Sequence, residues 1–237
     1  MADNKIVTKR KLTGAVFQSL DGVIQAPGGP EEDRSGGFRY GGWTAPFWDE
    51  SMKEPTGKIY DEPEYDLLLG KRTYDIFAAY WPYNQDDPIG AKFQRINKYV
   101  LTHSDEPLIW EGSHRLSGDT AEAVAKLKKS DGRDLLIQGS STIYLPLLAA
   151  GLIDRLILMT FPVLLGEGRR VFDGSEKPGA LKLVDHFVSD KGVVFTTYEP
   201  AGEVPTGSFE TKEPSEAELK RREKWAREEA GASRSMR

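Results

Sequence analysis

The stretch DLLIQGSSTIYLPLLAAGLIDRLILMTFPVLLG, residues 134–166, decides the fold. It opens on an apolar run, DLLIQG, ended by Gly139, which reads as a buried strand. Residues 142–150 follow as an apolar helix with Pro146 near its start. Then RLILMTFPVLLG, at 155–166, reads as a second buried strand. Neither strand alternates polar with apolar residues, so both faces of the sheet are covered, as in parallel sheets. Strand, helix and strand in that order form one crossover unit.

The same pattern recurs upstream. LTGAVFQ (12–18) is rich in β-formers, and SLDG (19–22) turns out of it. YDLLLG (65–70) is another apolar run closed by a glycine. KRTYDIFAAYW follows it with Tyr74, Phe77, Ala78 and Trp81 at helical spacing until Pro82. KYVLT (98–102) predicts a short strand. Asp119 and Glu122 open a helix over 119–129 at capping-box spacing. LKLVDHFVS and VVFTTYEP flank Asp190-Lys191-Gly192, so 181–199 reads as an antiparallel hairpin. The expected fold is α/β: a central, mostly parallel sheet flanked by helices, with a C-terminal antiparallel hairpin.

Two regions stand outside this rhythm. Residues 27–61 are rich in Gly, Pro, Trp and charge, a length of loop that is usually functional. Pro46 predicts a helix near 46–53. From 203 to 237 apolar residues thin out, and Ser215 with Glu218 predicts a charged helical extension over 215–230 carrying Trp225. The boundaries expected are therefore 1–202 and 203–237.

Composition narrows the chemistry. The chain has no Cys, which excludes disulfides, thiolate nucleophiles and Cys-ligated metals. Its three His, at 103, 114 and 186, are too scattered for an H-x-x-x-H metal pair, so no metal is expected. The net charge of −5 does not favour nucleic acid or an anionic membrane. The longest apolar stretch falls short of the roughly 20 residues of a membrane span, and the N-terminus lacks an apolar leader. A soluble cytoplasmic protein is expected.

Four segments carry candidate chemistry. Gly70, Lys71, Arg72, Thr73 and Tyr74 sit between a strand and a helix, where backbone N–H groups and the helix dipole favour an anion. Gly139, Ser140, Ser141 and Thr142 form a second such turn, small enough for a pyrophosphate to approach the backbone. Each also has an ordinary reading, as a solvated turn or a Ser/Thr helix cap. Two such turns at the carboxyl ends of parallel strands match the two phosphate regions of a dinucleotide. The third segment, Leu165 to Arg170, reads as a second backbone approach to such a dinucleotide, a cationic rim or an ordinary glycine turn. The fourth is acidic: Asp49 beside Phe47 and Trp48 is the first candidate proton donor, and Asp21 in SLDG the second. No G-x-G-x-x-G or P-loop motif is completed.

In order, the strand ending in SLDG, GKRTY, LT at 101–102, IQGSS and GLIDRLILMTFPVLLGEGRRVF resemble the dihydrofolate reductase-like superfamily. More narrowly, the chain is similar to proteins carrying the reductase domain of bacterial riboflavin biosynthesis, over about residues 11–199. The resemblance implies a single α/β reductase domain, NADPH as hydride donor and a homodimer. It implies that Arg72 and Thr73 lie near the adenosine 2′-phosphate or pyrophosphate. It likewise implies that Thr102 and Ser104 flank the adenosine phosphate, and that Gly139 to Thr142 cradle the pyrophosphate. Val16, within Ala15–Phe17, and the segment Asp21–Ile24 would border the nicotinamide, with Phe47, Trp48 and Trp81 walling a substrate pocket. The activity implied is reduction of a C=N bond in a pterin-like or pyrimidine-like heterocycle. That makes it dihydrofolate reductase-like or 5-amino-6-(5-phosphoribosylamino)uracil reductase-like. The alternative is a non-catalytic NADPH-binding or sensing protein on the same fold. Ala15 stands where riboflavin reductases carry a lysine, and no deaminase motif is present.

Overall fold

Every residue of Tyr65–Gly70 (β2) is buried, as an unbroken apolar run requires when both sheet faces are covered. The structure, a computed structural model, describes residues 9–61, 63–172, 177–209 and 213–235. The first eight residues, on which the expectation about a leader falls, lie outside the described residues.

β2 lies inside an eight-stranded sheet with Leu12–Ser19 (β1), Lys98–Leu101 (β3), Ser113–Leu116 (β4), Asp134–Ile137 (β5), Arg155–Phe161 (β6), Leu181–Val188 (β7) and Val194–Pro200 (β8). The strand order is β4-β3-β2-β5-β1-β6-β8-β7. The first six strands run parallel. β8 pairs antiparallel with β6 and β7, closing the sheet with the hairpin.

Alternate residues feed two cores. Leu67, Leu69, Leu136, Ile157, Met159 and Phe161 face one side, over Lys53–Tyr60 (α1), Lys71–Tyr80 (α2) and Pro88–Arg95 (α3). Leu12, Val16, Leu68, Ile137, Leu156 and Leu158 face the other, against Thr120–Lys129 (α4) and Ser141–Ala149 (α5). Asp119 caps α4 through the N–H of Glu122, at 2.9 Å. Gly14 on β1 lets α5 approach closely: a Cβ there would come within 2.7 Å of the Tyr144 ring, whose hydroxyl donates to Ile137 O.

Two expectations change. The segment 46–53 is not a helix. It is a 3-10 turn at Ala45–Phe47, a break at extended Trp48 and a second 3-10 turn at Glu50–Met52, after which α1 begins. The break arises because Asp49 adopts the extended conformation of a cap and bonds Ser51 N–H. Pro146 lies inside α5 rather than at its start.

The chain divides into Met1–Glu203 and Val204–Arg237. In the second unit Glu216–Ser235 forms α6, opened by Ser215 accepting from Glu218 N–H. There the Arg221 guanidinium covers a half-exposed Trp225, 4.3 Å from the ring centroid.

Candidate active-site cleft

β2 and β5 are neighbours in register, Leu68 opposite Ile137, so the turns that follow them meet. Gly70 N–H donates to Gly139 O at 3.1 Å. A Cβ on Gly70 would fall 2.0 Å from Ser140 Oγ. One on Gly139, at φ +137°, would fall 2.6 Å from Thr73 Oγ1. Both glycines are therefore demanded by contact between the turns. The helices behind them, α2 and α5, start at Gly70 and Ser140 without a side-chain cap. Ile143 N–H turns back to Ser140 O at 3.2 Å; the N–H groups ahead of it in α5, and those that open α2, point the way an anion would be held.

These turns form one wall of a cleft of about 330 Å³ at the carboxyl ends of the parallel strands. Of the residues singled out in the sequence, Val16, Trp48, Arg72, Thr73, Trp81, Gly139, Ser140 and Ser141 line it. Ala15 and Phe17 give the floor an apolar strand edge, and Phe77 joins the two tryptophans. Hydroxyls, helix N–H groups and a half-exposed arginine on one side, with aromatic rings on the other, form a donor set suited to a phosphate-bearing nucleotide.

Other named residues lie outside the lining. Gly70 serves the turn contact. Thr142 is exposed on the first turn of α5. Lys71 Nζ is bound by Asp75 at 2.8 Å and Glu106 at 2.9 Å. Thr102 Oγ1 accepts from Ser104 N–H at 3.0 Å, and Ser104 Oγ accepts from Glu106 N–H at 3.2 Å, so both shape the loop that holds Glu106 beside Lys71. Phe47 packs edge-on to Phe161, 6.2 Å between centroids.

Neither expected acid lines the cleft. Asp49 accepts from the Ser51 hydroxyl at 2.5 Å and N–H at 2.9 Å, and from Lys191 N–H at 2.9 Å. It ties the loop to the turn of the β7–β8 hairpin. The Ser51 hydroxyl, helped by these N–H groups, holds its carboxyl below the usual range, the opposite of the raised value expected among aromatics. Asp21 accepts from the Ser19 hydroxyl (2.6 Å), Leu165 N–H (3.1 Å), Gly166 N–H (2.9 Å) and Arg170 (3.1 Å). Desolvation opposes its charge, but these four donors outweigh it and keep the carboxyl well below the usual range. Asp21 is thus an anchor for the 165–170 loop.

The acids in the cleft wall are Glu32 and Asp33, both from the long loop. Burial pushes the Glu32 carboxyl up, against the pull of Gly28 N–H at 2.5 Å and Gly29 N–H at 3.1 Å. Asp33 is also desolvated, yet Ser35, Arg169 and Arg72 bring its carboxyl below the usual range. Sequence reasoning missed both, because PGGPEEDR has no periodicity to place it. The readings of Leu165 to Arg170 did not pair Arg169 with this loop. The one available signal was the length of the loop.

Residues 10–195 match the RibD C-terminal domain family model. The chain belongs to the RibD C-terminal domain family. Among curated relatives, uncharacterized protein YyaP of Bacillus subtilis (strain 168) is 27% identical over 136 residues, 56% of this chain and 72% of that protein. Among solved structures, a Shewanella sp. PV-4 protein provisionally assigned to riboflavin biosynthesis is 20% identical, covering 81% of this chain and 99% of its own, with a TM-score of 0.58. Enterococcus faecalis dihydrofolate reductase, complexed with NADP(H) and RAB-propyl, is 20% identical, with coverages of 80% and 96% and a TM-score of 0.50. Acinetobacter baumannii RibD is 16% identical, with coverages of 81% and 58% and a TM-score of 0.50. The family chain therefore has a dihydrofolate reductase-like fold. Among the described residues no helix is long and apolar enough to cross a membrane.

Proposed function

We propose that the chain is an NADPH-dependent reductase acting on a C=N bond of a pterin-like or pyrimidine-like heterocycle. The observation that carries this reading is the cleft itself. Two uncapped helix N-termini meet there through paired glycines, beside an apolar strand edge and an aromatic wall. Membership of the RibD C-terminal domain family supports it.

When bound, NADPH supplies the hydride. The N–H groups that begin α2 and α5, with Thr73, Ser140 and Ser141, hold its phosphates. The strand edge at Ala15–Phe17 would border the nicotinamide. Trp48, Phe77 and Trp81 flank the heterocycle and exclude water. Glu32 takes the place of Asp49 and Asp21 as the candidate proton donor, since it lines the cleft and burial shifts its carboxyl upward. The reading includes a homodimer, supported by the exposed apolar residues Leu181, Leu183, Val184 and Val188 of edge strand β7.

The test is NADPH oxidation with dihydrofolate, a dihydropterin and a ribosylaminouracil in turn. Turnover with one of them is expected. Glu32→Gln should then slow single-turnover hydride transfer about a hundredfold and flatten its pH profile, with NADPH affinity retained. NADPH binding without oxidation by any of the three would instead support a sensing protein.

A further inference from the structure

Asp33 is nearly buried, with 8% of its surface exposed, and it lies where three segments converge. One carboxylate oxygen accepts from Arg72 on α2 at 2.9 Å and from Ser35 N–H at 3.0 Å. The other accepts from Arg169, which follows β6. Arg169 also donates to Ser35 Oγ at 2.7 Å, and its N–H donates to Gln25 Oε1 at 3.1 Å. Gln25 Nε2 in turn donates to the carbonyls of Asp33 and Ser35. β2 and β6 are separated in the sheet by β5 and β1. Asp33 thus draws together two guanidiniums from opposite sides of the cleft.

One carboxylate serves two guanidiniums, and Glu32 is the other acid of the cleft wall. Each guanidinium carries five N–H donors, of which only part is used here. The Arg72 and Arg169 side chains remain 53% and 36% exposed, and both line the cleft. A purely structural ion pair in this molecule looks different: Arg10 and Asp66 are 0% and 2% exposed. Paired, planar, partly free guanidiniums suit the oxygens of a phosphate.

We propose that Arg72 and Arg169 form a two-armed clamp for a phosphate group of a ligand in the cleft, with Asp33 as the positioning residue that sets their separation. This deepens the reductase reading by adding Arg169 and Asp33 to the binding site, but the clamp does not depend on nicotinamide chemistry.

The test is a tryptophan-fluorescence titration of the full chain, since Trp48 and Trp81 line the same cleft. The probes are NADPH, inorganic pyrophosphate, ribose 5-phosphate and, as a phosphate-free control, reduced nicotinamide riboside. Arg169→Gln should weaken phosphate-bearing probes about tenfold, the loss of a charged hydrogen bond, and leave the control unchanged. Arg169→Lys should recover part of that loss. Asp33→Asn should weaken the same probes, and by less when Arg169→Gln is already present. Loss confined to NADPH and pyrophosphate assigns the clamp to the dinucleotide; loss confined to ribose 5-phosphate assigns it to the substrate. Wild type that binds phosphate probes but not NADPH supports the clamp and ends the reductase reading. The clamp is overturned if the wild type binds no phosphate probe, if Arg169→Gln changes none, or if all probes, the control included, fall together.

Discussion

The two ends of the parallel strands use the same charged groups to opposite ends. At the amino ends, Arg10 and Asp66 are sealed in the core at 2.6 Å, and Asp66 also accepts from the Asn97 N–H and side-chain amide at 3.2 Å. Nearby, Lys128 is bound by Asp154 and Leu152 O, each at 2.6 Å, while Asp154 also accepts Leu12 N–H at 2.7 Å. These charges are spent on holding strand ends in place. At the carboxyl ends, Arg72 and Arg169 share a carboxylate and keep donors and surface free. The difference separates stability from binding: a charge that is enclosed and bonded holds the fold, while one anchored yet exposed can meet a ligand.

The largest effect should come from breaking the closed end. Asp66→Ala leaves Arg10 buried without its partner and should cost about 3–5 kcal/mol, read as a fall in the denaturation midpoint. Equal stability of variant and wild type would show that the amino-end pair does not hold the strand ends in place. Gly139→Ala should cost less, about 1–3 kcal/mol, because its φ of +137° is strained for alanine and the Cβ would press on Thr73 Oγ1. It should also weaken nucleotide binding, which no amino-end variant should do.

Asp21 sharpens the contrast through pH. Its folded carboxyl lies below its unfolded value, so its contribution is complete above about pH 4 and is lost as acid protonates it in the folded state. Asp21→Asn should therefore cost stability at neutral pH, about 1–2 kcal/mol, and the gap from wild type should narrow below pH 4. A gap independent of pH would contradict the four-donor anchor. The smallest effect is expected at Asp49. A general acid contributes about a hundredfold or more, yet Asp49→Asn should leave hydride transfer unchanged, since its carboxyl serves Ser51 and Lys191.

The sequence made the central strands legible because burial on both faces forces continuous apolar runs, as in YDLLLG and DLLI. The two cleft-facing turns were legible because a strand meeting a helix start through glycine leaves a local signature. β4 was not: SHRL is a half-exposed edge strand recognised only by its pairing with β3. Nor was α3. Its Gly90 looks like a helix breaker, although a Cβ there would fall 2.1 Å from Asn84 O. The acids failed for a related reason. Asp49 and Asp21 have the right neighbours in sequence, but their partners Lys191 and Leu165 come from far along the chain. The Asp33–Arg169 contact likewise spans 136 residues, with no local pattern at either end.

The proposed reductase role requires the carboxyl-end cleft to hold a phosphate-bearing nicotinamide dinucleotide. Its most direct test is a tryptophan-fluorescence titration with NADPH and NADH on wild type and Gly139→Ala. Saturable quenching by NADPH is expected in the wild type, with affinity weakened about tenfold, or roughly 1.4 kcal/mol, in the variant. Absence of quenching by either nucleotide, or equal affinity in Gly139→Ala, would contradict it.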